Sequence, residues 1–60
     1  MKFTPNEFRG CMYECRGLNC VVILNTTSHA LISPFASESQ QIVPISELGR
    51  LLTLPPKVNQ

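Results

Sequence analysis

The sequence predicts an α+β domain, in which an N-terminal helix packs on a three-stranded antiparallel β-meander and a short helical turn follows. Three observations carry that expectation. Thr4-Pro5-Asn6-Glu7 has the pattern of a helix start. Three apolar runs, over about 20–25, 29–35 and 41–45, are separated by polar, turn-forming residues. Pro34 and Pro44 cannot donate to a ladder, so each places the end of its run at a sheet edge or bulge.

The helix is expected over about 5–16. Thr4 suits the N-cap, Pro5 the first helical position, and Glu7 stands three residues after the cap, where its carboxylate can return to the cap N–H. Phe3 and Phe8 are spaced for a hydrophobic staple, and Phe8, Cys11, Met12 and Cys15 recur at helical spacing on one face. Arg16 complements the carbonyl end and Gly17 supplies a left-handed stop. Gly10 costs such a helix roughly 1 kcal/mol relative to Ala.

Cys20-Val21-Val22-Ile23-Leu24 is continuously apolar and largely β-branched, as a strand covered on both faces would be. Asn25 to Ser28 offers turn chemistry, because these side chains bond to local backbone. His29 to Phe35 completes a hairpin, and Gln41 to Ile45 follows a second polar turn over Ser37 to Gln40. Residues 46–52 read as a capped helical turn with Leu48, Leu51 and Leu52 on one side, or equally as a 3₁₀ turn followed by extended chain. Pro55-Pro56 ends whatever precedes it and leaves 55–60 as a frayed tail.

From Leu18 to Leu48 the order of strand, tight turn, strand, polar turn, strand and closing Pro-Ile-Ser-Glu-Leu turn resembles the central meander of SH3-like small barrels. The resemblance covers about half the chain. It implies a fold and no ligand, because a chain with no Trp and a single Tyr lacks the aromatic groove of true SH3 domains and also lacks the glycine-flanked KOW motif.

With 60 residues, 43% of them apolar, and a formal net charge of +1, the chain is one small ordered domain with a thin core, neither a multidomain enzyme nor a disordered segment. Its five basic and four acidic residues are scattered, which leaves little for counterion-release binding of nucleic acid. Arg9 and Arg16, seven apart on the expected helix, could straddle phosphates, but Glu7 and Glu14 repeat at the same interval and offset them. No stretch is apolar enough for a membrane span, and Met1 to Pro5 lacks the apolar run of a secretory signal, so a cytoplasmic protein with reduced thiols is expected.

Cys11, Cys15, Cys20 and His29 are the one constellation able to carry a site. Their C-x₃-C-x₄-C-x₈-H spacing offers the four ligands of a structural zinc. The competing readings are buried, unliganded thiols, which are common in small cores, and a disulfide or intermolecular bridge. Buried thiols are favoured, because structural zinc sites normally pair their cysteines in a turn. Cys–His catalysis needs a pocket that so small a core can hardly hold, so no enzyme is expected and no resident cofactor beyond the zinc alternative.

The remaining feature is an apolar surplus. A sheet apolar on both faces needs two covers, and exposed apolar area on so small a domain marks a protein contact, with Leu48, Leu51, Leu52, Ile32 and Phe35 as the expected contact residues. The function expected is a non-catalytic module that binds another protein or a second copy of itself, an accessory or inhibitory factor of the compact sort that phages and mobile elements encode. The alternatives are a dimeric nucleic-acid-binding regulator and a zinc-stabilised Cys₃His module.

Overall fold

The computed structural model describes residues 2–37 and 39–53, which form a four-stranded antiparallel sheet in the order β1-β2-β3-β4. The strands are β1 (Met12–Cys15), β2 (Leu18–Asn25), β3 (His29–Pro34) and β4 (Gln41–Pro44), followed by a 3₁₀ turn at Ile45–Glu47. The expected helix over 5–16 is absent, and no α-helix occurs among the described residues. The α+β class with a three-stranded sheet is thereby corrected to an all-β arrangement.

The reason lies in both backbone and pairing. Asn6 and Gly10 sit at φ 61° and 84°, in the left-handed region that a right-handed helix does not visit. Residues 4–11 instead make successive tight turns, in which the N–H groups of Glu7, Arg9 and Cys11 donate to the carbonyls of Thr4, Asn6 and Phe8 at 3.1, 3.3 and 3.0 Å. From Cys11 onward the period is two: Cys11 and Cys15 are buried, Tyr13 is half-buried and Glu14 is exposed. The helical stripe and the strand alternation share Cys11 and Cys15, and β2 decides between them. As a central strand it has backbone donors and acceptors to satisfy along both edges, and β1 meets them on one side by pairing Met12 with Val21 through to Cys15 with Leu18.

Arg16 and Gly17, expected to close a helix, close the β1–β2 hairpin. Both have positive φ, 55° and 82°, as a two-residue type I′ turn requires. The Arg16 guanidinium donates to Glu47 Oε1 through Nε at 3.0 Å and Nη2 at 2.7 Å, tying this turn to the 3₁₀ turn.

β2 and β3 pair with a shift of register between Val22 and Leu24, so Ile23 is an extra residue on β2. Such a bulge exchanges the faces of everything beyond it. Cys20 and Val22 point into the core ahead of Ile23; after it Asn25, not Leu24, is buried, at 2% exposure. Its side chain joins three parts of the chain. Asn25 Oδ1 accepts from the Phe8 N–H at 2.8 Å, while Nδ2 donates to the carbonyls of Thr4 at 3.0 Å and Thr26 at 2.8 Å. With the Phe3 N–H donating to Thr27 O at 2.9 Å and the Gly10 N–H to Val22 O at 2.8 Å, the N-terminal segment is strapped along β2. Phe3 and Phe8 meet edge-on at 5.5 Å between ring centres, so the staple contact forms without a helix, and Phe8 meets Tyr13 in the same way at 5.9 Å.

Of the two readings of residues 46–52, the capped helical turn does not form, and the chain follows the other, a 3₁₀ turn and then extended chain. Only Ile45–Glu47 is helical, as one 3₁₀ turn, and the chain then runs beside β1, where Leu51 bridges Tyr13. The Gly49 N–H donates to Glu14 O at 2.7 Å and the Leu52 N–H to Met12 O at 2.7 Å. Gly49 suits this close approach, because a Cβ would lie 3.0 Å from Glu14 O and push the two segments apart by a few tenths of an ångström. The core consists of Cys15, Cys20, Val22, Ala30, Ile32, Val43 and Ile45, with Phe3, Phe8, Tyr13 and Leu48 packed against it. The tail expected over 55–60 lies outside the described residues. Among the described residues no helix is long and apolar enough to cross a membrane.

Candidate functional site

The register sorts side chains onto two faces, because directly paired residues share a side. On the outer face Leu24 pairs with Leu31 and Leu31 with Ile42, which lays an apolar row across three neighbouring strands. With strands about 4.8 Å apart the row extends roughly 10 Å. Leu24 is 42% and Ile42 72% exposed, and Leu31 is half-buried between them. Thr26, His29 and Ala30 complete a shallow groove along the row. None of the lining residues carries a fixed charge.

The expected contact residues fall elsewhere. Ile32 is 2% exposed and belongs to the core, so it cannot meet a partner. Leu48 packs against the core from below, and Leu52 is half-buried beside Met12. Leu51, at 40%, and Phe35, at 60%, are exposed, but Leu51 bridges Tyr13 at the β1 edge and neither lines the outer groove. Sequence reasoning missed Leu24 and Ile42. Alternation about buried Val43 could have pointed to Ile42; no residue type signals the bulge that turns Leu24 outward.

The four candidate zinc ligands are not assembled. Among the described residues no three His, Cys, Asp or Glu side chains lie close enough to hold a metal ion. His29 and Pro34 stand at opposite ends of β3, about 17 Å apart at roughly 3.4 Å per residue, and Cys20 pairs with Pro34. His29 is exposed, with Nδ1 2.8 Å from Ser28 Oγ. Cys11 is fully buried but stands apart from the cluster that holds Cys15 and Cys20. Burial, and after it the Glu7 carboxylate, pushes the Cys11 thiol pKa up. Burial is also the main cause raising Cys20; neighbouring Cys15 adds to it and a backbone hydrogen bond from Tyr13 partly offsets it.

Cys15 and Cys20 do share a cavity. It has a volume of about 140 Å³ and lies at the open end of the core, walled by the two thiols with Arg16, Leu18, Ile32, Pro34 and Gln41. The helix that would have set Arg9 and Arg16 seven apart on one face is absent, and Arg16 is engaged by Glu47 at 2.7 Å. No family model, curated protein or solved structure matches the chain.

Proposed function

We propose that the protein is a non-catalytic interaction module that acts by binding protein through the outer face of its sheet, in the first place a second copy of itself. The Leu24–Leu31–Ile42 row is the observation that carries this reading. Contiguous exposed apolar surface on a small domain favours association. Among the described residues the covering segments are used elsewhere, the N-terminal strap against the core and 49–53 against β1.

A groove without a fixed charge is complementary to itself in a two-fold arrangement, where the same patch meets its copy without repulsion between carboxylates or between Lys and Arg side chains. A stable interface takes roughly 800 Å² from each partner, a large share of the 4348 Å² surface of this chain. A row of three side chains offers less, so the dimer is weak and concentration-dependent. An accessory or inhibitory role fits a module of this kind, since occupying a partner's surface requires no catalytic group. The SH3-like reading of the fold is kept as part of the proposal, supported by the β2–β4 meander, the 3₁₀ turn after it and the return of Leu51 to β1.

The test is sedimentation at rising concentration of the wild type and of Ile42→Lys, a change at a position exposed enough to leave folding intact. The wild type should pass from monomer to dimer while the variant stays monomeric. A wild type that remains monomeric into the millimolar range, or a variant that dimerises equally well, overturns the proposal.

A further inference from the structure

We infer that Cys15 and Cys20 form a two-sulfur site for a soft monovalent d¹⁰ cation, with copper(I) as the physiological type and silver(I) as its analogue. Tyr13 pairs with Cys20 and Leu18 with Cys15, so the two cysteines are diagonal neighbours on one face of the β1–β2 hairpin. Diagonal positions stand about 7–8 Å apart, somewhat less between Cβ atoms.

That separation chooses among bridging chemistries. A disulfide needs its Cβ atoms about 3.5–4.5 Å apart, closer than this hairpin register sets them. An ion held linearly between two thiolates, each metal–sulfur bond about 2.3 Å or a little shorter, spans about 4.5 Å between sulfurs, against about 2 Å for a disulfide. The extra span matches the wider register. The cavity of about 140 Å³ that both thiols wall leaves room for the ion.

Ligand number points the same way. Among the described residues no third His, Cys, Asp or Glu joins the pair, which leaves a tetrahedral zinc or a hard cation incompletely held. Two soft thiolates satisfy a cuprous ion that accepts linear coordination. Binding replaces the two thiol protons, which pass to solvent, and gives a bis-thiolate complex of net charge −1; no electron is transferred. Arg16, whose guanidinium is paired with Glu47, also lines the cavity. The remaining walls are Leu18, Ile32, Pro34 and Gln41, apolar apart from Gln41.

The test uses the full chain, reduced and free of oxygen, titrated with copper(I) against a chromogenic copper(I) chelator. One ion per monomeric chain should be taken up with release of two protons, X-ray absorption should report two sulfur neighbours, and excess zinc(II) should not displace the ion. Cys15→Ser and Cys20→Ser should each abolish stoichiometric uptake, and Cys11→Ser should retain it. Should a serine variant fail to fold, cysteine alkylation of the wild type read by mass spectrometry decides the matter. Copper(I) or silver(I) should then protect Cys15 and Cys20 together and leave the Cys11 rate unchanged. Uptake that survives loss of either thiol, that protects Cys11 in step, or that needs two chains per ion overturns the assignment.

Discussion

The two faces of the sheet are built from similar aliphatic residues and differ in what covers them. On the inner face Val22, Ile32 and Val43 are buried beneath the N-terminal strap, Leu48 and the aromatic trio Phe3, Phe8 and Tyr13. On the outer face Leu24, Leu31 and Ile42 have no such cover from the described residues, and Ile42 is 72% exposed. One inserted residue, Ile23, contributes to the difference on β2 by sending Leu24 out and Asn25 in. The lesson is that a polar residue can be the better inward choice. Asn25 binds three backbone groups, among them the Phe8 N–H, which has no other partner among the described residues, and its bonds to Phe8 and Thr4 join the backbone bonds that hold the strap in place.

The contrast can be broken most forcefully at Ile32. Replacing it by Ala should destabilise by about 2–5 kcal/mol through lost burial and a residual cavity, as read by urea denaturation. A loss close to zero would mean that the inner face is not the core. Asn25→Ala comes next. It strands the Phe8 N–H, while the Thr4 carbonyl keeps its bond from Glu7 and Thr26 is exposed, so the cost should be about 1–3 kcal/mol, the range for one unsatisfied group. Hydrogen exchange at the Phe8 amide should accelerate with it, and unaltered exchange would show that the strap is held by other contacts.

Alkaline pH sharpens the comparison, because the groups whose pKa values folding raises, Cys11, Cys20 and Tyr13, belong to the core and its aromatic flank. The ordinary values are 9.0 for the thiols and 10.0 for Tyr13, and desolvation is the first cause of each shift. Once unfolded, these groups bind fewer protons than in the folded chain at pH values above their ordinary range. Their contribution to stability is therefore complete below about pH 8 and falls as pH rises through the raised folded-state values. Denaturant midpoints that stay constant from pH 8 to 11 would contradict this. The smallest effects belong to exposed sites: Ile42→Ala in dilute solution and Thr4→Ala should each stay within about 0.5 kcal/mol. Thr4 no longer caps a helix, although its N–H still donates to the Glu7 carboxylate at 3.2 Å.

Much of the sheet could be read from local signals. The apolar run at 20–24, the Thr26–Ser28 turn, and the prolines ending β3 and β4 lie where the sequence places strands, turns and stops. The first sixteen residues could not be read in this way. A genuine cap signature stands there, and half of it forms, but Cys11 and Cys15 satisfy helical and strand periods alike. What settles the structure is the unpaired edge of β2, a tertiary demand invisible within that window. Asn25 was misread for a related reason: a polar residue closing an apolar run looks like turn chemistry unless the bulge two residues earlier is known. The same blindness hid Leu24 from the contact surface and kept the thiol pair at 15 and 20 from being separated from Cys11 and His29.

The central claim, that the bulge presents an apolar row for association, is most directly tested by methyl NMR with a soluble paramagnetic probe over a range of protein concentrations. In dilute solution the probe should bleach Leu24, Leu31 and Ile42 and spare Val22, Ile32 and Val43. Raising the concentration should restore the outer row selectively. Protection of Leu24 at the lowest concentration, or an outer row that stays bleached at the highest, would contradict the account.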